Sequence, residues 1–229
     1  MTIQSSEDSA DLRDMLASGA RQLGIDLGGQ ECDCFITCLK ELVEWNRKIN
    51  LTAIGDGKDI VTRHFLDSLA VNMFLDGTAS LLDIGSGAGF PGIPLKIVRP
   101  ALDVVLLDGV GKKVAFMRHI IRTLGLKGIE AVHGRVEDSA VIAQYRGGFD
   151  VVVSRAFARL SDFLTLASPY TREGGLIIAV KGPKGDDELE GGKAAPRNLR
   201  LEKMEEVTIP FTGVASHYFI FRKEGADRT

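Results

Sequence analysis

The sequence predicts an α/β protein with a doubly wound, mostly parallel sheet that follows an α-helical extension. From residue 80 onward, short β-branched or leucine-rich runs alternate with helical runs, a pattern typical of βαβ units. Before that point, only helical spacing is present. A glycine-rich turn at residues 85–89 directly follows the first apolar run, as expected where a ligand meets such a sheet. We therefore expect a helical extension over residues 1–75 and an α/β domain over residues 76–229.

The extension contains three segments with apolar residues at three- and four-residue steps. Residues 9–24 and 31–49 form the first two, and Gly28-Gly29 separates them. Residues 60–74 form the third. The apolar residues expected on one side of this third helix are Ile60, Phe65, Leu69 and Met73.

Five apolar runs are predicted to form the central strands, with helices at 94–98 and 112–124 among the crossovers. The runs cover residues 81–84, 104–107, 129–133, 151–154 and 175–180. After Lys181, a stretch rich in glycine, proline and charge extends to about Arg200, and we expect a mobile loop there. Residues 207–209 and 217–222 then read as two closing antiparallel strands.

Composition limits the classes of function. No apolar run reaches the length of a membrane span, and the polar N-terminus does not resemble an export signal. The three cysteines (Cys32, Cys34, Cys38) read as small hydrophobic residues of a reduced, cytoplasmic protein. Although the net charge is −3, residues 108–135 carry a net charge of +4, which allows a phosphate-binding face.

The glycine turn predicts a cofactor that contains adenosine. Glycines at 85, 87 and 89 let the backbone turn tightly and approach a ligand closely. Asp83 precedes them, and a carboxylate there suits the positive charges of S-adenosylmethionine better than a pyrophosphate. Residues 87–92 also satisfy the G-x-G-x-x-G pattern of dinucleotide-binding proteins. Asp83 and the lack of a second large α/β domain favour S-adenosylmethionine.

Residues at the ends of later strands extend this site, because ligands lie outside the carboxyl ends of the strands in doubly wound folds. Asp108 ends the second run, where a carboxylate can accept hydrogen bonds from both ribose hydroxyls. Val136 and Glu137 follow the third run, on the expected adenine side. Arg155 follows the fourth run, beside the reacting end of the cofactor.

Two features of the α/β domain predict the methyl acceptor: the catalytic motifs that the domain lacks and the basic residues that it contains. It lacks the cysteine nucleophile that pyrimidine C5 methylation requires, and residues 154–157 do not read Asn-Pro-Pro-Tyr. The scattered histidines predict no metal site. Basic residues follow three strands, at Arg135, Arg155, Arg159, Lys181 and Lys184. They favour a phosphate-bearing acceptor, and guanine N7 is apt because its free lone pair needs no general base.

Several ordered motifs resemble the RsmG family, also called glucose-inhibited division protein B, which comprises bacterial 16S ribosomal RNA guanine-N7 methyltransferases. The motifs are Trp45-Asn-Arg-Lys-Ile-Asn-Leu-Thr52, Arg63-His-Phe-Leu-Asp-Ser68, Asp83-Ile-Gly-Ser-Gly-Ala-Gly-Phe-Pro-Gly-Ile-Pro94, Leu107-Asp108, Gly111-Lys-Lys113, Arg135-Val-Glu137, Ser154-Arg-Ala-Phe157 and Lys181-Gly182. The resemblance implies a Rossmann-like class I methyltransferase fold with a seven-stranded sheet. One departure is Gly109-Val110, where the family usually has Ser-Leu or a similar pair.

Together, the residues and the resemblance predict three groups of site residues. The cofactor-binding residues are Asp83, Gly85, Ser86, Gly87, Gly89, Phe90, Asp108, Val136, Glu137 and Arg155, of which the resemblance implies Gly85, Phe90, Val136, Glu137 and Arg155 as contacts. The catalytic residues are Arg155, Arg135 and Lys181, and the RNA-binding residues are Lys112, Lys113, Arg159 and Lys184. The expected partner is 16S ribosomal RNA or the small ribosomal subunit, with no membrane, no DNA and a monomeric chain.

Other interpretations remain open at this point. One is a methyltransferase that acts on another RNA, a protein or a small molecule, and another is a non-catalytic nucleotide- or RNA-binding module. Within the extension, Trp45 is expected to pack between helices and Asn46 to bridge helix and loop. His64 and Asp67, three residues apart, could pair on one helix face.

Overall fold

A seven-stranded sheet with the order β3-β2-β1-β4-β5-β7-β6 organises the protein. The computed structural model describes residues 6–155, 157, 159–182 and 196–225. The strands are β1 Ser80–Ile84, β2 Asp103–Asp108, β3 Ile129–His133, β4 Phe149–Ser154, β5 Thr171–Lys181, β6 Leu199–Thr208 and β7 Ala215–Lys223. Strands β1 to β5 run parallel, whereas β7 is antiparallel to both β5 and β6.

Helices cover both faces of this sheet. They are α1 Ser6–Gln22, α2 Gly29–Ile49, α3 Gly57–Asp59, a π-helix Ile60–Leu66, α4 Asp67–Ala70, a 3₁₀ turn Val71–Phe74, α5 Gly92–Val98, α6 Gly111–Thr123, α7 Ser139–Tyr145 and α8 Leu160–Ala167. The predicted α/β fold, with its mostly parallel seven-stranded sheet and N-terminal helical extension, is confirmed. No helix in the described ranges is long and apolar enough to cross a membrane.

Alternation along the strands creates two hydrophobic cores, one on each face of the sheet. Leu81 belongs to the core that also contains Leu16 and Phe65 of the extension, whereas its neighbour Leu82 belongs to the core with Phe163 and Tyr170. The extension therefore shares one continuous core with α5 and α6. The domain boundary at residue 75 separates two types of sequence rather than two hydrophobic cores.

Two sequence predictions need correction. The third helical segment starts at Gly57 and is π-helical over much of its length, and Met73, placed on its apolar side, is 51% exposed. The strand predicted at 207–209 is β6 and begins much earlier, at Leu199. As the edge strand, β6 carries charged side chains that are exposed on both faces, so it lacks an apolar pattern. The loop expected after Lys181 includes residues 183–195, which lie outside the described residues.

The smaller expectations for the extension are mostly confirmed. Trp45 packs against Phe116 and His119, with ring centroids 5.5 and 5.1 Å apart. Asn46 Oδ1 accepts a hydrogen bond from Thr52 N at 2.9 Å, which ties the end of α2 to the following loop. Two of the cysteines, Cys32 and Cys38, are buried, and all three are free thiols.

Gly19 allows α1 to pack closely against the π-helix and the β6–β7 turn. A Cβ at this position would lie 2.4 Å from Leu66 Cδ1 and 3.0 Å from Phe211 Cε2. We therefore expect Gly19→Val to lower the free energy of unfolding by about 1–3 kcal/mol through overpacking. Urea denaturation followed by circular dichroism measures this. The exposed neighbour supplies the control Ser18→Val, and equal losses in both variants would contradict the packing argument.

Candidate active site

A cavity of about 300 Å³ opens at the carboxyl ends of β1, β2 and β3. Its walls come from the glycine turn after β1, the turn after β2 and the segment after β3, with one aromatic side chain from the segment after β4. The lining residues are Ile84, Gly85, Leu107, Asp108, Gly109, Val110, Gly134, Arg135, Val136, Glu137 and Phe157. The cavity thus lies at the edge of the sheet where sequence analysis placed the cofactor.

The glycine turn is held against the end of β2 by backbone hydrogen bonds. Gly85 N and Ser86 N both donate to Leu107 O, at 2.8 and 3.2 Å. Gly85 and Gly87 have φ values of +69° and +61°, in the left-handed region that favours glycine. Among the described residues, no side chain lies within 4 Å of the position that a Gly87 Cβ would take. The turn therefore presents bare backbone.

Asp108 braces two turns while it lines the cavity. Its Oδ2 accepts a hydrogen bond from Gly87 N at 2.9 Å, and its Oδ1 accepts one from Val110 N at 2.8 Å. A carboxylate oxygen has two acceptor positions, so each oxygen retains one for a ligand. The carboxylate is thus fixed in orientation and still able to accept two further hydrogen bonds.

The segment after β3 forms the far wall of the cavity. Tyr170 Oη donates to Val136 O at 2.6 Å, and Arg135 N donates to Asp138 Oδ2 at 3.0 Å. Burial raises the pKa of Tyr170 to about 12, so its hydroxyl keeps the proton that it donates. The Arg135 side chain is 74% exposed and lies 3.5 Å from the Glu137 carboxylate. The backbone here is fixed, while the Arg135 charge faces solvent.

Asp83 lies beneath the glycine turn rather than at its surface. The side chain is fully buried, its Oδ2 accepts a hydrogen bond from Gly92 N at 2.9 Å, and its Oδ1 has no partner among the described residues. Burial raises the pKa of this carboxyl to about 7. The Asp83 carboxylate therefore lies beneath the turn, and its contact with the cofactor stays a prediction.

Three further predicted cofactor residues support the turn and do not line the cavity. Ser86 Oγ donates to Asp83 O at 2.7 Å, and a Cβ at Gly89 would lie 2.3 Å from Ile93 Cδ1. Phe90 is buried, and its ring stacks on His64 with centroids 4.5 Å apart and an interplanar angle of 11°. The second half of the glycine motif thus packs the turn against α5 and the extension.

Arg155, at the end of β4, is bound to the extension. It forms an ion pair with Asp67 at 3.0 Å and donates hydrogen bonds to Ser68 Oγ, His64 O and Arg63 O at 2.9, 3.3 and 3.0 Å. Ser216 Oγ on β7 donates to Asp67 Oδ1 at 2.6 Å. Sequence reasoning placed Arg155 at the site but missed these partners, which all belong to the Arg63–Ser68 motif and to β7.

His64 does not pair with Asp67, so that expectation is wrong. Its Nε2 lies 3.0 Å from Thr52 Oγ1, and its Nδ1 is buried without a hydrogen-bond partner among the described residues. Burial and the neighbouring Arg155 charge lower the pKa of His64 to about 3, so the imidazole is neutral. A neutral ring suits the stacked contact with Phe90.

Four of the remaining predicted basic residues lie at the same edge of the sheet. Lys181, the last residue of β5, donates from Nζ to Phe157 O. Lys112 and Arg159 are exposed near the starts of α6 and α8, and Lys113 is half-buried. Lys184 lies outside the described residues. Sequence reasoning missed Phe157 as a lining residue, although it closes the Ser154–Phe157 motif that was singled out.

The buried carboxyl of Asp83 predicts a pH-dependent effect. Because its pKa is raised to about 7, the folded protein holds a proton that the unfolded chain releases near pH 4. This group therefore lowers the free energy of unfolding as pH rises from about 4 to 7. We expect the stability of Asp83→Asn, measured relative to the unsubstituted protein, to rise by about 3 kcal/mol between pH 5 and pH 8.

Urea denaturation at several pH values measures this difference. The control is Met73→Leu at an exposed position, because it changes no titratable group, and its stability relative to the unsubstituted protein should not change with pH. A difference between Asp83→Asn and the unsubstituted protein that stays constant with pH would contradict the burial argument.

Comparison with known proteins shows which family this sequence matches. The family described as rRNA small subunit methyltransferase G (GidB) matches residues 31–218. Two proteins named ribosomal RNA small subunit methyltransferase G are each 42% identical to this chain. The match to the Myxococcus xanthus protein covers 95% of this chain and 100% of that protein. The match to the Geotalea uraniireducens protein covers 93% of this chain and 97% of that protein.

Solved structures with low sequence identity share the fold. A Methanococcus maripaludis protein described as an S-adenosyl-L-methionine-dependent methyltransferase superposes with a TM-score of 0.55 at 14% identity, over 83% of this chain and 94% of its own. Pyrococcus horikoshii TYW2, solved in complex with MeSAdo, superposes with a TM-score of 0.52 at 16% identity. This match covers 65% of this chain and 58% of the TYW2 chain. By its sequence match over residues 31–218, this chain belongs to the rRNA small subunit methyltransferase G family.

Proposed function

We propose that this protein transfers the methyl group of S-adenosylmethionine to N7 of a guanine in 16S ribosomal RNA. The observation that carries the proposal is the cavity at the ends of β1 to β3, with the fixed Asp108 carboxylate beside a bare glycine turn. Membership of the rRNA small subunit methyltransferase G family supports the choice of a ribosomal RNA acceptor.

The donors, acceptors and apolar surfaces of the cavity fit S-adenosylmethionine. Asp108 retains two acceptor positions, which match the two hydroxyls of a ribose. Val136 and Phe157 supply apolar surface for an adenine ring, and Gly85 leaves room for the methionine part. The proposed cofactor-binding residues are Asp83, Gly85, Ser86, Gly87, Gly89, Phe90, Asp108, Val136, Glu137 and Arg155, of which Gly85, Asp108, Val136 and Glu137 line the cavity. Asp83 supports the turn from beneath.

The reaction needs alignment more than acid–base catalysis. When bound, S-adenosylmethionine supplies an electrophilic methyl group on a sulfonium. Guanine N7 attacks with a free lone pair, so this chain's residues need not remove a proton; their task is to align the reactants and exclude water. Arg155 performs this as a positioning residue, since its four partners fix the Arg63–Ser68 segment beside the glycine turn. Arg135 and Lys181 place the RNA backbone.

Basic side chains at the same edge of the sheet supply the RNA contact. Lys112 and Arg159 are exposed there, and Lys113 is half-buried. Cationic side chains bind phosphates without reading sequence and orient the nucleic acid on the surface. We further propose a monomeric, cytoplasmic enzyme that acts on the small ribosomal subunit or its RNA, with Lys184 as an additional contact.

Labelled methyl transfer tests the proposed reaction directly. With S-adenosylmethionine labelled in the methyl group, we expect label in 16S RNA of small subunits from cells that lack this protein. Subunits from cells that contain the protein should accept little label, because their site is already modified. Chemical cleavage at 7-methylguanine followed by primer extension should map one nucleotide. Label in protein, or in no macromolecule, would overturn the proposal.

Asp108→Asn tests where the cofactor lies. Because the substitution removes a charged acceptor for the ribose hydroxyls, we expect the Kd for S-adenosylmethionine to rise about 10- to 100-fold. Isothermal titration calorimetry measures this. The control Asp103→Asn changes an exposed carboxylate at the opposite end of the same strand and should leave the Kd unchanged. An unchanged Kd in Asp108→Asn would exclude this placement of the ribose.

A further inference from the structure

A second cavity, of about 410 Å³, lies between the extension and the turn that joins β6 to β7. Arg63 and Asp67 form its wall on the side of the extension. Ile209, Val214 and Ser216 form the opposite wall. Gly182, directly after β5, also lines it. We call this cavity the base pocket.

The segments after β4 and β5 link the base pocket to the cavity at the ends of β1 to β3, which we call the cofactor cavity. Arg155 follows β4 and binds Asp67 in the wall of the base pocket. Lys181 directly precedes Gly182, which lines the base pocket. The Nζ of Lys181 donates a hydrogen bond to the backbone carbonyl of Phe157, and Phe157 lines the cofactor cavity. The base pocket therefore lies on the side of β4 that faces β5 and β7, whereas the cofactor cavity lies over β1 to β3.

Asp67 gives the base pocket a specific chemistry. One carboxylate oxygen binds Arg155 and the other accepts from Ser216 Oγ, which leaves one acceptor position on each oxygen. The pairing with Arg155 fixes the orientation of the buried carboxylate. Two free acceptor positions on one carboxylate in the wall of a cavity match a planar ligand with two adjacent N–H donors.

We propose that the base pocket holds the acceptor guanine, whose N1–H and N2–H donate to the Asp67 carboxylate; this inference rests on the proposed function. Among the RNA bases, guanine alone has two adjacent N–H donors on its Watson–Crick edge. Ile209 and Val214 supply apolar surface for its ring, and the Arg63 guanidinium at the rim reaches its phosphate. Recognition through this edge leaves N7, on the opposite edge, free to react.

Filling the base pocket tests the inference. Val214 is 41% exposed at the rim, so Val214→Trp adds bulk without disturbing the core. With small ribosomal subunits as substrate, we expect kcat/KM for methyl transfer to fall at least tenfold while the Kd for S-adenosylmethionine stays within twofold. Met204→Trp, at an equally exposed site on β6, is the control and should retain activity. Activity of Val214→Trp within twofold, or a parallel loss of cofactor binding, would overturn the inference.

A modified substrate tests the contact with Asp67. Inosine lacks the N2 amino group but keeps N7, so subunits reconstituted with inosine at the modified position should show a KM about tenfold higher. Equal KM values for inosine and guanine would overturn the assignment to Asp67. If the unsubstituted protein transfers no methyl group to RNA, the proposed function fails. Filter retention of small subunits by Val214→Trp, compared with the unsubstituted protein, then still decides whether the base pocket binds the RNA.

Discussion

The interaction between Arg155 and the extension joins the helical N-terminal part of the protein to the carboxyl edge of the sheet. Arg155 stands at the end of β4, next to the strand that carries the glycine turn, and all of its described partners lie in the segment from Arg63 to Ser68. Asp67 is buried, and a buried carboxylate without its cationic partner is strongly destabilising. The ion pair therefore holds the extension against the end of β4, and Asp67 forms part of the wall of the base pocket.

The π-helix from Ile60 to Leu66 gives this segment its particular shape. A π-helix is rare and commonly occurs at functional sites, because its wider turn changes the direction of side chains and carbonyl groups. Here the carbonyl groups of Arg63 and His64 accept hydrogen bonds from Arg155, while the His64 ring stacks on Phe90 of the glycine loop. One short segment thus contacts the end of β4 and the turn after β1 at the same time.

The sequence predicted the sheet, the edge of the sheet at which the cavity opens and the position of Asp108 at that edge, because these follow from local patterns. Apolar runs mark buried strands, and in a parallel sheet the carboxyl ends of all strands meet at one edge. The partners of Arg155 lie about 90 positions away along the chain, and no local pattern connects Arg155 with Asp67. The length of β6 was missed for a similar reason, because its pairing with β7, rather than an apolar pattern, makes it a strand.

The role of Asp83 shows how the same residue type can serve packing or binding. Two carboxylates flank the glycine turn: Asp83 precedes it, and Asp108 stands at the end of β2. Only Asp83 belongs to the glycine-rich sequence motif. Gly92, which donates to Asp83, could not carry a Cβ, since that atom would lie 2.2 Å from Leu106 Cδ2. The spacing from Asp83 to Gly92 therefore serves to dock α5 against β2. The Asp108 carboxylate, by contrast, faces the cavity and is anchored by only one backbone donor on each oxygen.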